Sequence, residues 1–225
     1  KKIKLTNYHK ILNENSKIKF IGANELNKFK GKIISALNLA FISYNYKYKL
    51  RTHKHLFWPD GMFSTYLLDK TKIPGRTYFT KILNFLNKNK KKYKKIFVLG
   101  NLPNHSKIWL KNNLNQSFEH KNFPLINIDN IESFSKKIKL NNNSLVILTL
   151  PTPKQELVGN ILLKKYSKIN IICIGGAINI LSGIEKEAPK IFYYLNLEWL
   201  WRLKFDSRRR IKRLLESFYL SFKIL

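Results

Sequence analysis

Three short stretches of this chain carry side chains and turns suited to catalysis or ligand binding. Trp58-Pro59-Asp60-Gly61 places a single carboxylate in a turn that Pro59 and Gly61 fix. A carboxylate held this way is a general-base candidate, although an Asp-Gly after Pro equally suits a plain turn. Pro151-Thr152-Pro153-Lys154-Gln155-Glu156 reads as a helix start. Its free N–H groups, with Lys154, make either an anion site or an ordinary cap. Gly175-Gly176-Ala177-Ile178-Asn179 lets a ligand approach the backbone closely, or serves packing. Two further features read as bland. His53-x-His55 has no third ligand nearby, and the single cysteine, Cys173, lies in an apolar run as a small core residue would. Neither a metal centre, a cofactor nor a disulfide framework is expected.

These stretches need elements to position them. Short apolar runs at 32–37, 56–58, 96–100, 125–128, 145–150 and 169–174 read as strands. Several are apolar at consecutive positions, as strands buried on both faces are. Helical patterns at 39–47, 78–90, 106–115, 131–138 and 154–166 alternate with them. The fold class is therefore α/β: a Rossmann-like, mostly parallel sheet with helices on both faces. In such sheets ligands sit outside the carboxyl ends of the strands, where all three stretches fall.

From Pro189 onward the pattern is helical, aromatic and basic. Residues 198–225 carry eight basic and three acidic side chains, interleaved with Trp199, Trp201, Phe205, Phe218, Tyr219 and Phe222. We read 1–190 as the α/β core and 191–225 as a C-terminal basic helical appendage. That appendage has the composition of an interfacial helix, and Arg202, Arg208, Arg209 and Arg213 are its candidate contacts to diphosphate or membrane.

With 44% hydrophobic and 13% aromatic residues the chain can build a full core, which excludes wholesale disorder. The formal charge of +30 attracts polyanions of any kind, and a Lys- and Asn-rich composition also produces such an excess on solvated surface. A basic nucleic-acid-binding protein is thus the rival reading, but no nucleic-acid motif occurs. No stretch reaches the ~18 apolar residues of a membrane span. The Lys-rich start lacks the apolar core of a signal peptide, and it lacks Met, so an upstream native start is expected. The expectation is a cytoplasmic protein, peripheral on the inner face of the cell membrane.

The order of the motifs narrows this further. After Pro59-Asp60-Gly61 come Lys72-Ile73-Pro74-Gly75, Phe97-Val98-Leu99-Gly100, Pro153-Lys154-Gln155-Glu156, Gly175-Gly176-Ala177, Ala188-Pro189 and Leu197-Glu198-Trp199-Leu200-Trp201-Arg202-Leu203. From about Ser35 to the C-terminus the chain resembles the WecG/TagA/CpsF glycosyltransferase family. The resemblance implies transfer of an N-acetylmannosamine-type sugar from a UDP donor to a polyprenyl-diphosphate-linked acceptor. It makes Asp60 the general base, with Asn38 matching the Asn of the family's Thr-x-Asn motif. Ala36 stands at the Thr position, with Ser35 the neighbouring hydroxyl. Lys72, Lys154, Gln155, Gly175, Gly176 and Asn179 become donor-binding candidates. Lys72 replaces an Arg, Asn179 an acidic residue, and Glu187 an Arg. A non-catalytic member is the remaining alternative. The chemistry suits the residues: a nucleoside diphosphate is a good leaving group, so one base on the acceptor hydroxyl suffices. The resemblance implies an inverting, metal-independent transferase; no Asp-x-Asp occurs, which supports the second of these and leaves Lys and Arg to act on the diphosphate.

Overall fold

The computed structural model describes residues 19–61, 70–124, 126–204 and 207–224. Six parallel strands run in the spatial order β2-β1-β6-β5-β3-β4. They are β1 (Ile33–Leu37), β2 (His55–Pro59), β3 (Lys95–Leu99), β4 (Phe118–Lys121), β5 (Ser144–Leu148) and β6 (Asn170–Cys173). Alternate residues feed opposite faces, because side chains in a strand alternate. Ile34, Leu56, Trp58, Ile96, Val98, Leu145, Ile147 and Ile172 point to one face. There they meet the 3₁₀ turn Ala23–Lys28 and helices α2 (Gly75–Lys88), α3 (Asn104–Asn113) and α6 (Ala177–Leu181). The opposite face carries Ile33, Leu37, Phe57, Phe97, Leu99, Val146, Leu148, Ile171 and Cys173. It is covered by α1 (Leu39–Tyr48), α4 (Ile131–Lys137) and α5 (Lys154–Lys165). This is the expected α/β architecture, and Cys173 is a buried core residue.

One strand differs from the sequence expectation. The fourth strand is Phe118–Lys121, whereas 125–128 was expected; Leu125 lies outside the described residues and Ile128 opens the 3₁₀ turn Ile128–Asn130. The reason is physical. β4 is one of the sheet's two edges and is half-exposed along its whole length, so it carries Glu119, His120 and Lys121 in place of an apolar run.

Beyond Pro189 come α7 (Lys190–Tyr194), α8 (Glu198–Arg202) and α9 (Ser207–Ile224). Helix α9 packs along α1. Ser43 donates its hydroxyl to the Ser217 carbonyl at 2.8 Å, and Tyr44 donates to Glu216 Oε2 at 2.8 Å. Lys47 pairs with the other Glu216 oxygen at 2.5 Å. No described helix is long and apolar enough to cross a membrane.

Candidate active site

Strands β1 and β2 are neighbours with Leu37 opposite Pro59, so the residues that follow them, Asn38 and Asp60, emerge side by side. Asn38 caps α1, its Oδ1 accepting from the Phe41 N–H at 3.0 Å. That bond sets which way the amide faces: Nδ2 is left to donate to Asp60 Oδ2 at 3.2 Å. The Asp60 N–H donates to the Leu37 carbonyl at 3.2 Å, and Gly61 adds a backbone donor to the carboxylate. Gly61 holds φ +74°, a conformation that a side chain would strain, which explains a glycine here.

Asp60 is half-buried, and burial raises its pKa above the ordinary aspartate value; Arg202 and the Asn38 bond pull against this, while Glu198 adds to it. The result is a carboxylate more basic than usual, held in one orientation. Lys72 is near enough to feel both Asp60 and Glu198, and burial nevertheless lowers its pKa. Two core strands thus supply Asn38 and Asp60, and the C-terminal segment supplies Arg202. Ala36 and Ser35 point to opposite faces of β1: Ser35 is fully buried, 3.4 Å from His55 Nδ1. Ser35 therefore cannot stand in for the hydroxyl missing at Ala36.

A second cluster lies at the ends of β5 and β6. Gln155, almost fully buried, accepts from the Gly175 N–H at 3.1 Å and donates to Glu156 Oε1 at 2.9 Å and Thr152 Oγ1 at 3.0 Å. It ties one carboxyl-end loop to the other. Gly175 has φ +53°, and beside Gly176 there is open space where a Cβ would stand. Glu156 is wholly buried, its pKa pushed up to about 7 by that burial, and its Oε2 has no hydrogen-bond partner.

The remaining candidates are dispersed. Lys154 donates to the Ile126 carbonyl at 2.5 Å, and Asn179 accepts from Ser106 at 3.1 Å, fastening α6 to α3. Lys72 donates to the Tyr193 carbonyl and Asn196 Oδ1, both at 2.6 Å. Arg208 is exposed, Arg213 acts electrostatically on Tyr44 and Glu156, and the Arg209 side chain lies outside the described residues. Glu187 pairs with Arg76 Nε at 2.6 Å. Sequence reasoning missed Arg76 and also Arg210, which makes a two-pronged pair with Glu185 at 2.9 Å. A signal for Arg76 existed. A cation in the first turn of a helix opposes the helix dipole, so a carboxylate partner for it was to be expected.

The description "Glycosyl transferase WecG/TagA/CpsF family" matches residues 16–225. Curated relatives include the N-acetylglucosaminyldiphosphoundecaprenol N-acetyl-beta-D-mannosaminyltransferases of Staphylococcus aureus strains NCTC 8325 / PS 47, COL and N315. Each is 28% identical over 142 residues, covering 61% of this chain and 54% of the relative. The chain thus spans about half the length of the curated relatives it matches.

Proposed function

We propose that this chain, which belongs to the WecG/TagA/CpsF glycosyl transferase family, moves an N-acetylhexosamine-type sugar from a UDP donor to a polyprenyl-diphosphate-linked acceptor. N-acetylmannosamine, or its uronic acid, is the sugar we favour, since the relatives' names carry that sugar and an undecaprenol-linked acceptor. The observation that carries the reading is the Asp60 carboxylate, fixed by Asn38 at the ends of two adjacent parallel strands.

Asp60 takes the proton of the acceptor hydroxyl as that oxygen forms its bond to the anomeric carbon and the bond to UDP breaks. Attack opposite the leaving group inverts the anomeric centre. Burial raises the proton affinity of Asp60, which favours this transfer. The departing diphosphate gathers negative charge, and Arg202 with Lys72 supplies the nearby positive charge, in place of a metal ion. The Gly175–Gly176 loop, braced by Gln155, has open space beside Gly176 in which a donor could approach the backbone. Helix α9 presents Ile211, Leu215, Phe218, Tyr219 and Phe222 outward, beside Arg208, Lys212 and Lys223. That face suits a peripheral enzyme at the anionic inner surface of the cell membrane, where a lipid-linked acceptor resides.

The test is UDP release from a panel of UDP-sugars on adding a synthetic polyprenyl-diphosphate acceptor, with the product identified by mass spectrometry. Asp60→Asn should keep the fold and UDP affinity and lose at least about a hundredfold in turnover. Wild-type turnover should also fall with pH through a midpoint above the ordinary aspartate value, because only ionised Asp60 accepts the proton. Near-normal turnover in Asp60→Asn removes it from the mechanism.

A further inference from the structure

The C-terminal segment reaches Asp60 through a polar clamp centred on Arg76, a residue that the chemistry above does not use. Arg76 sits in the first turn of α2 with only 12% of its side chain exposed. It holds two carboxylates, Glu187 through Nε at 2.6 Å and Glu198 Oε1 through Nη1 at 2.9 Å. Lys72 adds bonds to the Tyr193 carbonyl and Asn196, and its ammonium lies 3.9 Å from the centre of the Tyr193 ring. Asn196 holds φ +59° and presents the turn between α7 and α8 to that lysine. Apolar burial contributes little here. Ile191, Tyr194, Leu195, Trp199 and Leu200 are all exposed, and neither α7 nor α8 has a buried residue. Among the described residues, polar and ionic contacts are therefore the main tie between this segment and the core.

Glu198 begins α8 and Arg202 ends it, four residues on and so on the same side of the helix. We propose that Arg76 is a positioning residue: by gripping Glu198 it sets α8 so that Arg202 stands beside Asp60. The inference rests on Asp60 as the reacting base. Arg76 touches neither substrate nor Asp60 in this scheme and acts through the helix alone. A hydrogen bond between charged groups is strong enough that losing it changes an equilibrium that depends on it by about tenfold or more.

Two measurements test it. The first is hydrogen exchange at the Leu200 and Trp201 amides, which bond the Leu197 carbonyl. Arg76→Gln should lower their protection about tenfold, and the swap Arg76→Glu with Glu198→Arg should restore part of it. The second is a double-mutant cycle on transfer kinetics, with global stability followed by denaturation. Arg76→Gln and Arg202→Ala should each lower kcat about tenfold or more, with KM for the UDP donor changing less. Combined, they should cost no more than the larger single loss, because both remove the same cation from Asp60. A structural role without positioning would lower stability and leave the kinetic losses additive. Additive losses, or unchanged exchange in Arg76→Gln, overturn the proposal. A wild-type chain that transfers no sugar would overturn the proposed function instead, and exchange alone then decides whether the clamp exists.

Discussion

Helices α2 and α9 are the two longest described, and they are turned in opposite senses. Helix α2 buries Tyr78, Phe79, Ile82, Leu83, Phe85 and Leu86 against the sheet and exposes Thr77, Thr80, Lys81, Asn84 and Lys88. Helix α9 turns Ser217, Leu220 and Ser221 inward against α1 and leaves Ile211, Leu215, Phe218, Tyr219 and Phe222 outside. Its inner contact is largely hydroxyl and carboxylate chemistry, which needs no dry core. Its outer face, up to 73% exposed at Phe222, is the kind of surface a water-facing helix avoids. Periodicity alone identifies both helices; only packing tells which face each one buries.

The sharpest way to break this contrast is to remove an equivalent ring from each helix. Phe79 is fully buried, so Phe79→Ala should cost about 3–5 kcal/mol in urea denaturation. Phe222→Ala should stay within about 0.5 kcal/mol. Comparable losses from the two would mean that the outer face of α9 is covered by protein after all.

The core side has its own inversion, which pH can sharpen. Helix α5 buries Glu156 with one oxygen unpartnered, and its pKa rises to about 7 from an unfolded value of 4.5. The folded state therefore binds the proton more tightly than the unfolded state. Stability is fully present below about pH 4.5 and is lost progressively as the pH rises through about 7. A shift of that size corresponds to roughly 3 kcal/mol across the window. Glu156→Gln cannot ionise, so its stability should lose this slope and exceed that of wild type at pH 8. A variant with the same slope as wild type would assign the titration to another group.

How much of this was legible in the residues depends on where each interaction closes. Strands β1, β3, β5 and β6 were legible because both their faces are buried, which gives consecutive apolar positions. Strand β4 was not, since this edge strand is only partly buried and Glu119 pairs with Lys95 and Lys121 instead. Asp60 and Asn38 could be singled out, but their bond depends on the β1–β2 register, which no local pattern encodes. That Arg76 needs a partner could be read locally, but which one could not. Its partner Glu198 lies 122 residues away, and the pair forms only when the last segment folds back over α2.

The smallest effect on stability should accompany a clear effect on location. If the outer face of α9 meets a bilayer, Leu215 and Phe222 insert their side chains while Arg208, Lys212 and Lys223 meet anionic headgroups. Fully burying one such side chain is worth about 1.5–3 kcal/mol, and each cation near anionic lipid about 1 kcal/mol. Leu215→Ser with Phe222→Ser should leave denaturation within about 0.5 kcal/mol of wild type, since both residues are more than 60% exposed. Even with insertion only partial, the same pair should weaken sedimentation with anionic vesicles by about tenfold or more. Added salt should weaken the wild type further, because it screens the basic residues and leaves the apolar term intact. Vesicles of neutral lipid should bind both proteins poorly. A double variant that sediments with anionic vesicles as well as the wild type would show that the outward stripe of α9 is not the lipid contact. The contrast between the two helices would then need another explanation.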